Sequence, residues 1–179
     1  MRQPATCRSR LGPAGGAKTE DAPEVGSVRI LIAEDHPQLR GAMRKHLSDR
    51  FPRAKIGEVD NGLEALRQIG RQEWDLVVLD INMPGVSGLE VMKILRAARP
   101  ELPVVVLSMD AEEPYAARAL ADGAAGYVAK DTTTGELITA IVSVLAGRKY
   151  VSTSVARRLA SRSQASPQPP LHPELSGRE

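Results

Sequence analysis

Leu76-Val-Val-Leu-Asp80-Ile-Asn82-Met-Pro84-Gly85 is the stretch on which the reading turns. A short apolar run ends on an aspartate and is followed at once by a Pro-Gly turn. That is the pattern of a buried strand delivering a carboxylate at its carboxyl end. Outward from it, three further runs end the same way. Val28–Ala33 leads into Glu34-Asp35, Val104–Leu107 into Ser108, and Tyr127–Ala129 into Lys130. Continuous β-branched runs bounded by polar turns read as parallel strands covered on both faces. In open α/β sheets, ligands bind beyond the carboxyl ends of the strands. Glu34, Asp35, Asp80, Asn82, Ser108 and Lys130 are therefore expected in one pocket.

The rest of the pattern alternates strand and helix. Strands are expected near 28–34, 54–59, 75–80, 104–109 and 126–130, and helices near 37–49, 61–72, 87–98, 113–122 and 134–146. In the last helix Leu137, Ile138, Ile141, Val142 and Leu145 form one apolar face. Pro37 suits a first helical turn, and Gly123 and Gly147 stand where helices stop. Five βα units of this kind make an α/β domain with a doubly wound parallel sheet and right-handed crossovers.

The 179 residues suit one such domain plus tails. Hydrophobic residues make up 42% but aromatics only 3%, so the core must be built from Val, Leu, Ile and Ala. No apolar run approaches the ~18 residues needed to span a bilayer, so no membrane partner is expected. Arg2, Arg8 and Arg10 are followed by no apolar stretch, which argues against a secretory signal. Cys7, the single cysteine, excludes an intrachain disulfide and fits a reducing cytoplasm.

The formal charge of +2 is uneven: residues 28–146 carry 14 basic and 17 acidic side chains, residues 147–179 carry 6 and 2. A basic tail can favour nucleic acid, but Arg157, Arg158 and Arg162 alone read as a solvated surface.

Residues 1–27 lack periodicity and read as a disordered extension. They hold a near-match to a phosphate-binding loop, Gly12 to Thr19, which lacks both the preceding strand and the following helix that the motif needs. After the domain, residues 149–163 suit one further short helix, with Val155, Ala156, Leu159 and Ala160 at helical spacing. Residues 164–174 read as a Ser/Gln/Pro linker. Leu175-Ser176-Gly177-Arg178-Glu179 carries a capping box behind a hydrophobic staple position, so a second domain is expected to begin there.

The pocket suggests a chemistry. Glu34, Asp35 and Asp80 would repel one another without a counter-charge, and a hard divalent cation with oxygen ligands, Mg²⁺, relieves that repulsion. Asp80 can then attack phosphorus and form an acyl phosphate, a reaction that demands mainly positioning and charge neutralisation. Lys130 supplies a second cation, Ser108 a hydrogen bond to a phosphoryl oxygen, and Asn82 its backbone carbonyl to the metal. Singly, each residue has a plainer explanation: strand-end acids often cap the next helix, and a strand-end lysine is usually solvated. His36 and His46 read as ordinary helix residues and Trp74 as packing.

Residues 28–148 resemble the receiver domain of bacterial two-component response regulators. The likeness rests on Glu34-Asp35, on Asp80-Ile-Asn82-Met83-Pro84-Gly85 with Gly88, and on Ser108, Tyr127 and Lys130, in register over the whole stretch. Gly123-Ala-Ala-Gly126-Tyr127-Val-Ala-Lys130-Asp131 is similar to the NarL/LuxR-type subfamily, whose DNA-binding helix-turn-helix domain opens like Leu175–Glu179.

The resemblance implies a flavodoxin-like fold with strand order 2-1-3-4-5. It also implies phosphoryl transfer to Asp80 from a sensor histidine kinase with Mg²⁺, and a switch through Ser108 and an inward rotation of Tyr127. A homodimer on phosphorylation, and DNA binding only through the further domain, would follow. Such a domain is a self-phosphorylating signalling module with slow autodephosphorylation rather than an enzyme. Three departures stand out: Glu34 in place of the commoner Asp, Asp131 in place of a Pro, and bulky Met109 beside the switch hydroxyl.

Two rivals belong to other classes. A haloacid-dehalogenase-like phosphatase needs a second Asp two residues after the first, where this chain has Asn82. A phosphorylation-independent interaction module usually lacks the acidic pair or the lysine, and both are present here.

Overall fold

The computed structural model describes residues 27–109, 113–131 and 134–165. The expected extension, the near-match to a phosphate-binding loop, Cys7, and the linker and second-domain start over 166–179 lie outside the described residues.

Strands β1 (Arg29–Ala33), β2 (Lys55–Val59), β3 (Leu76–Asp80), β4 (Val104–Ser108) and β5 (Gly126–Ala129) alternate with helices α1 (Pro37–Arg50), α2 (Gly62–Arg71), α3 (Gly88–Ala98), α4 (Glu113–Ala121) and α5 (Thr134–Leu145). A two-residue strand β6 (Tyr150–Val151) and helix α6 (Thr153–Ala165) follow. All strands run parallel, in the order β2-β1-β3-β4-β5-β6. The expected order 2-1-3-4-5 is present, and the expectation of five strands is corrected to six. Where a short helix was expected over 149–163, β6 is followed by α6 over Thr153–Ala165.

Period-two alternation sorts the strand residues onto two faces. Leu31, Ala33, Val77, Leu79, Val104, Val106, Tyr127 and Ala129 pack with α2, α3 and α4 and with Val155 of α6. Ile30, Ile32, Leu76, Val78, Val105, Leu107 and Val128 pack with α1 and α5. Every residue of β3 and β4 is buried, which is why both read as unbroken apolar runs. Trp74 is also buried, closing over Gly57 at the end of the sheet away from Asp80. Gly123 and Gly147 take positive φ (92° and 75°) at the ends of α4 and α5, a backbone state that side chains with a Cβ rarely adopt. Among the described residues no helix is long and apolar enough to cross a membrane.

The C-terminal elements are tied down at particular points. The Ser152 amide donates to the Tyr127 carbonyl (2.9 Å) and the Tyr150 amide to the Ala125 carbonyl (3.0 Å). Val155, 1% exposed, enters the core; burying one such side chain contributes about 1.5–3 kcal/mol. Glu136 of α5 accepts from the Tyr150 hydroxyl (3.2 Å) and the Thr153 amide (3.3 Å), joining α5 to β6 and to the first turn of α6.

Burial and the neighbouring Glu136 carboxylate raise the Tyr150 hydroxyl above its ordinary value of 10.0. A group raised on folding contributes stability that is present below its unfolded value and lost as pH rises through the folded one. The urea-unfolding midpoint of the parent protein should therefore fall more steeply above pH 10 than that of Tyr150→Phe; identical profiles would exclude this contact as the cause.

Candidate functional site

β1, β3, β4 and β5 end side by side, and register decides what meets there. Asp80 lies opposite Leu107, Ser108 opposite Ala129, and the Lys130 amide donates to the Ser108 carbonyl at 2.8 Å. These pairings carry Lys130 across 96 residues of sequence to Glu34. Its ammonium lies 2.7 Å from Asp80 Oδ2 and 2.8 Å from Glu34 Oε2, and donates to Glu34 Oε1 at 3.0 Å. The side chains of Glu34 and Asp80 are 0% exposed and that of Lys130 is 2% exposed. Charges this far from water persist only when paired, so Lys130 is part of what allows the two carboxylates to be buried.

The loop after β3 is short and internally braced. The Asn82 amide donates to Asp80 Oδ1 at 3.1 Å, and the Gly88 amide donates to the Ile81 carbonyl at 2.9 Å. A capping box starts α3: Ser87 accepts from the Glu90 amide, and Glu90 accepts from the Ser87 amide and hydroxyl. Those bonds from Ser87, the hydroxyl's foremost, hold the Glu90 carboxyl below its ordinary range. A Cβ at Gly88 would overlap the carbonyl oxygen of Asp80. Gly88→Ala should destabilise the domain by about 1–3 kcal/mol through overpacking, read as a lower urea midpoint; an unchanged midpoint would mean the loop moves aside freely.

Asp35 lies at the rim, 28% exposed, and its Oδ1 is 2.8 Å from Nδ1 of His36. The same ring nitrogen is 3.2 Å from Glu34 Oε1. Arg40 braces the turn from below, donating to the Glu34 carbonyl at 2.6 Å and the Asp35 carbonyl at 3.4 Å. His36, expected to be an ordinary helix residue, is instead the N-cap of α1 with its ring turned to the carboxylates. Neither His36 nor Arg40 figures among the site residues expected from sequence. The available signal was position, since both lie in the turn directly after the acidic pair.

Of the other expected residues, Ser108 is buried at the end of β4, Asn82 is exposed beside Asp80, and Met109 is 65% exposed at the rim. Tyr127, expected to rotate inward on activation, is already fully buried in the core under α4 and α6.

The pocket suits a cation. Ligand atoms of Glu34, Asp35, His36 and Asp80 lie within 4.8 Å of one another. Glu34 Oε2, Asp35 Oδ1 and Asp80 Oδ2 are buried without a directed hydrogen bond, although each has an ion-pair neighbour. Three carboxylates against one lysine and one histidine leave acceptor capacity that a divalent ion can take up.

The profile of the response regulator receiver domain matches residues 30–142. The response regulator GacA of Pseudomonas viridiflava is 35% identical over 136 residues, 76% of this chain and 64% of that protein. The response regulator UvrY of Escherichia coli (strain K12) is 30% identical over 154 residues, 85% of this chain and 70% of the relative. A solved LuxR-family two-component response regulator from Aurantimonas sp. SI85-9A1 superposes with a TM-score of 0.73 at 31% identity, covering 78% of this chain and 99% of that one. The chain spans 64% of the length of the GacA proteins it matches.

Proposed function

The chain belongs to the response regulator receiver domain family, and on that premise we propose that Asp80 accepts a phosphoryl group from a phosphohistidine of a sensor histidine kinase. The observation that carries this reading is the buried triad in which Lys130 Nζ stands 2.7 Å from Asp80 and 2.8 Å from Glu34.

In the proposed step an Asp80 carboxylate oxygen attacks phosphorus in line. The P–O bond of an acyl phosphate forms as the P–N bond breaks, with its electron pair left on the departing imidazole. Lys130 neutralises charge on the transferred group, and a compact ammonium on a buried stem is suited to that. Ser108 donates to a phosphoryl oxygen, and Asn82 holds Asp80 through its amide. Glu34, Asp35 and Asp80, with the Asn82 carbonyl, would hold Mg²⁺, which when bound neutralises the phosphoryl oxygens.

Phosphorylation would then bias a two-state surface of α4, β5 and α5, with the buried Tyr127 as one of its states. A cytoplasmic location, a homodimer formed on phosphorylation and DNA binding through a further domain complete the proposal. It is supported by the LuxR-type character of the similar proteins.

The test is direct. The protein incubated with acetyl phosphate and Mg²⁺ should gain the mass of one phosphoryl group, stable in acid and lost in base. No gain, from the phosphodonor or from a kinase, would leave the domain as a phosphorylation-independent interaction module.

A further inference from the structure

We propose that Tyr127 can leave its inward position only when β6–α6 lifts off the sheet, which makes this C-terminal segment the element that senses the state of the phosphoryl site. The proposed coupling rests on the reading of Asp80 as phosphoacceptor and of Tyr127 as a two-state residue, and it names what that residue moves against.

Sheet order supplies the first reason. An aromatic side chain on the last strand of a sheet can turn outward past an open edge. Here β5 is not the edge, because β6 pairs with it, Gly126 opposite Tyr150 and Tyr127 opposite Val151. The Ser152 amide donates to the Tyr127 carbonyl itself, at 2.9 Å. The segment therefore holds both the backbone of Tyr127 and the place into which its ring would turn.

Packing supplies the second. α6 lies on β5 and beside α4. Val155, 1% exposed, belongs to the same core cluster as the 0% exposed Tyr127 and as Ala116 and Ala119 of α4. Leu159 packs against that cluster, as Leu120 of α4 does. The alanines of α4 are small, and α6 fills the remaining space with a valine and a leucine. Interiors are close-packed, so a ring that leaves this cluster needs the volume those two side chains occupy.

The segment is built to lift without the rest of the domain. β6 has two half-buried residues, and Glu136 joins it and α6 to α5 through bonds of 3.2 and 3.3 Å. Short peripheral elements of this kind open locally at less than the cost of global unfolding. Docking of β6–α6 and the inward ring then favour each other. A ligand that prefers one must shift the other by the same factor. With the inward ring as the phosphorylated arrangement, phosphorylation fastens the segment and its loss releases it.

The experiment uses the full chain with BeF₃⁻ and Mg²⁺ as the phosphoryl mimic. Hydrogen exchange followed by NMR at the Tyr150 and Ser152 amides reports docking, and amides of β2, at the opposite edge of the sheet, report general stabilisation. Calorimetry gives the BeF₃⁻ affinity of the parent and of Val155→Asp, whose carboxylate the core rejects. Val155→Ala replaces it if β1–β5 do not stay protected, and should show a smaller change of the same sign.

BeF₃⁻ is expected to slow exchange at Tyr150 and Ser152 by ~5-fold or more, the low end of typical coupling between sites, with β2 changing less. Val155→Asp should lose that response and bind BeF₃⁻ more weakly by the same factor. If BeF₃⁻ binds but leaves those amides unchanged, speeds them, or slows β2 equally, the coupling is overturned while Asp80 stands. Undiminished BeF₃⁻ affinity in a folded variant with the segment released overturns it too. Failure of the parent to bind BeF₃⁻ would remove the phosphoacceptor reading, and the coupling with it.

Discussion

Asp80→Asn should take up no phosphoryl group from acetyl phosphate and Mg²⁺, and should remain folded. The substitution keeps the shape of the side chain at the end of β3 and removes the anionic oxygen that attacks phosphorus. Folding should survive because Lys130 keeps its contacts with Glu34 at 2.8 and 3.0 Å, so its charge is not abandoned in the interior. Intact-mass measurement decides: the parent gains one phosphoryl group and the variant none. Uptake by Asp80→Asn equal to that of the parent would move the phosphoacceptor elsewhere. Circular dichroism on the same samples separates lost chemistry from lost structure.

Lys130→Ala carries the second large effect, this time on stability. Removing one partner of a buried ion pair costs about 3–5 kcal/mol, because the remaining charge is left uncompensated. Here one ammonium faces two carboxylates that are 0% exposed, so without a metal ion the loss should reach the upper part of that range. Urea unfolding would show it as a lowered midpoint with an unchanged slope. Adding Mg²⁺ should recover part of it, since an ion bound only by the folded state stabilises by mass action. A midpoint within experimental error of the parent would mean that water, not Lys130, compensates the pair. Stabilisation by Mg²⁺ of the parent but not of Lys130→Ala would show that the lysine orders the cation pocket instead of merely sharing its charge.

Both predictions depend on residues whose placement was legible to different degrees. Asp80 could be located from its own neighbourhood: a four-residue apolar run, an aspartate, an Asn two positions on and a Pro-Gly turn. Glu34-Asp35, Ser108 and Lys130 were legible by the same logic, as strand-end residues of one parallel sheet. His36 was not, because its role comes from where a ring turns at an N-cap that makes no capping bond. Arg40 was missed similarly: a helix-surface arginine has no sequence mark of reaching two backbone carbonyls. β6 escaped because two half-buried residues have no periodicity to detect; its place comes from amides pairing with Ala125 and Tyr127.

Hydrophobic period and turn chemistry by themselves determined the α/β class, the order of elements and the edge at which the polar residues emerge. Those signals are local, since each strand reports its own faces and its own end. Only the tertiary structure decided that Lys130 is buried between Asp80 and Glu34, that Tyr127 is already inward beneath Val155 of α6, and that His36 joins the carboxylates. The reason is that distances between strand ends are set by strand order, register and the packing of the helices above them, and no single stretch of sequence contains those.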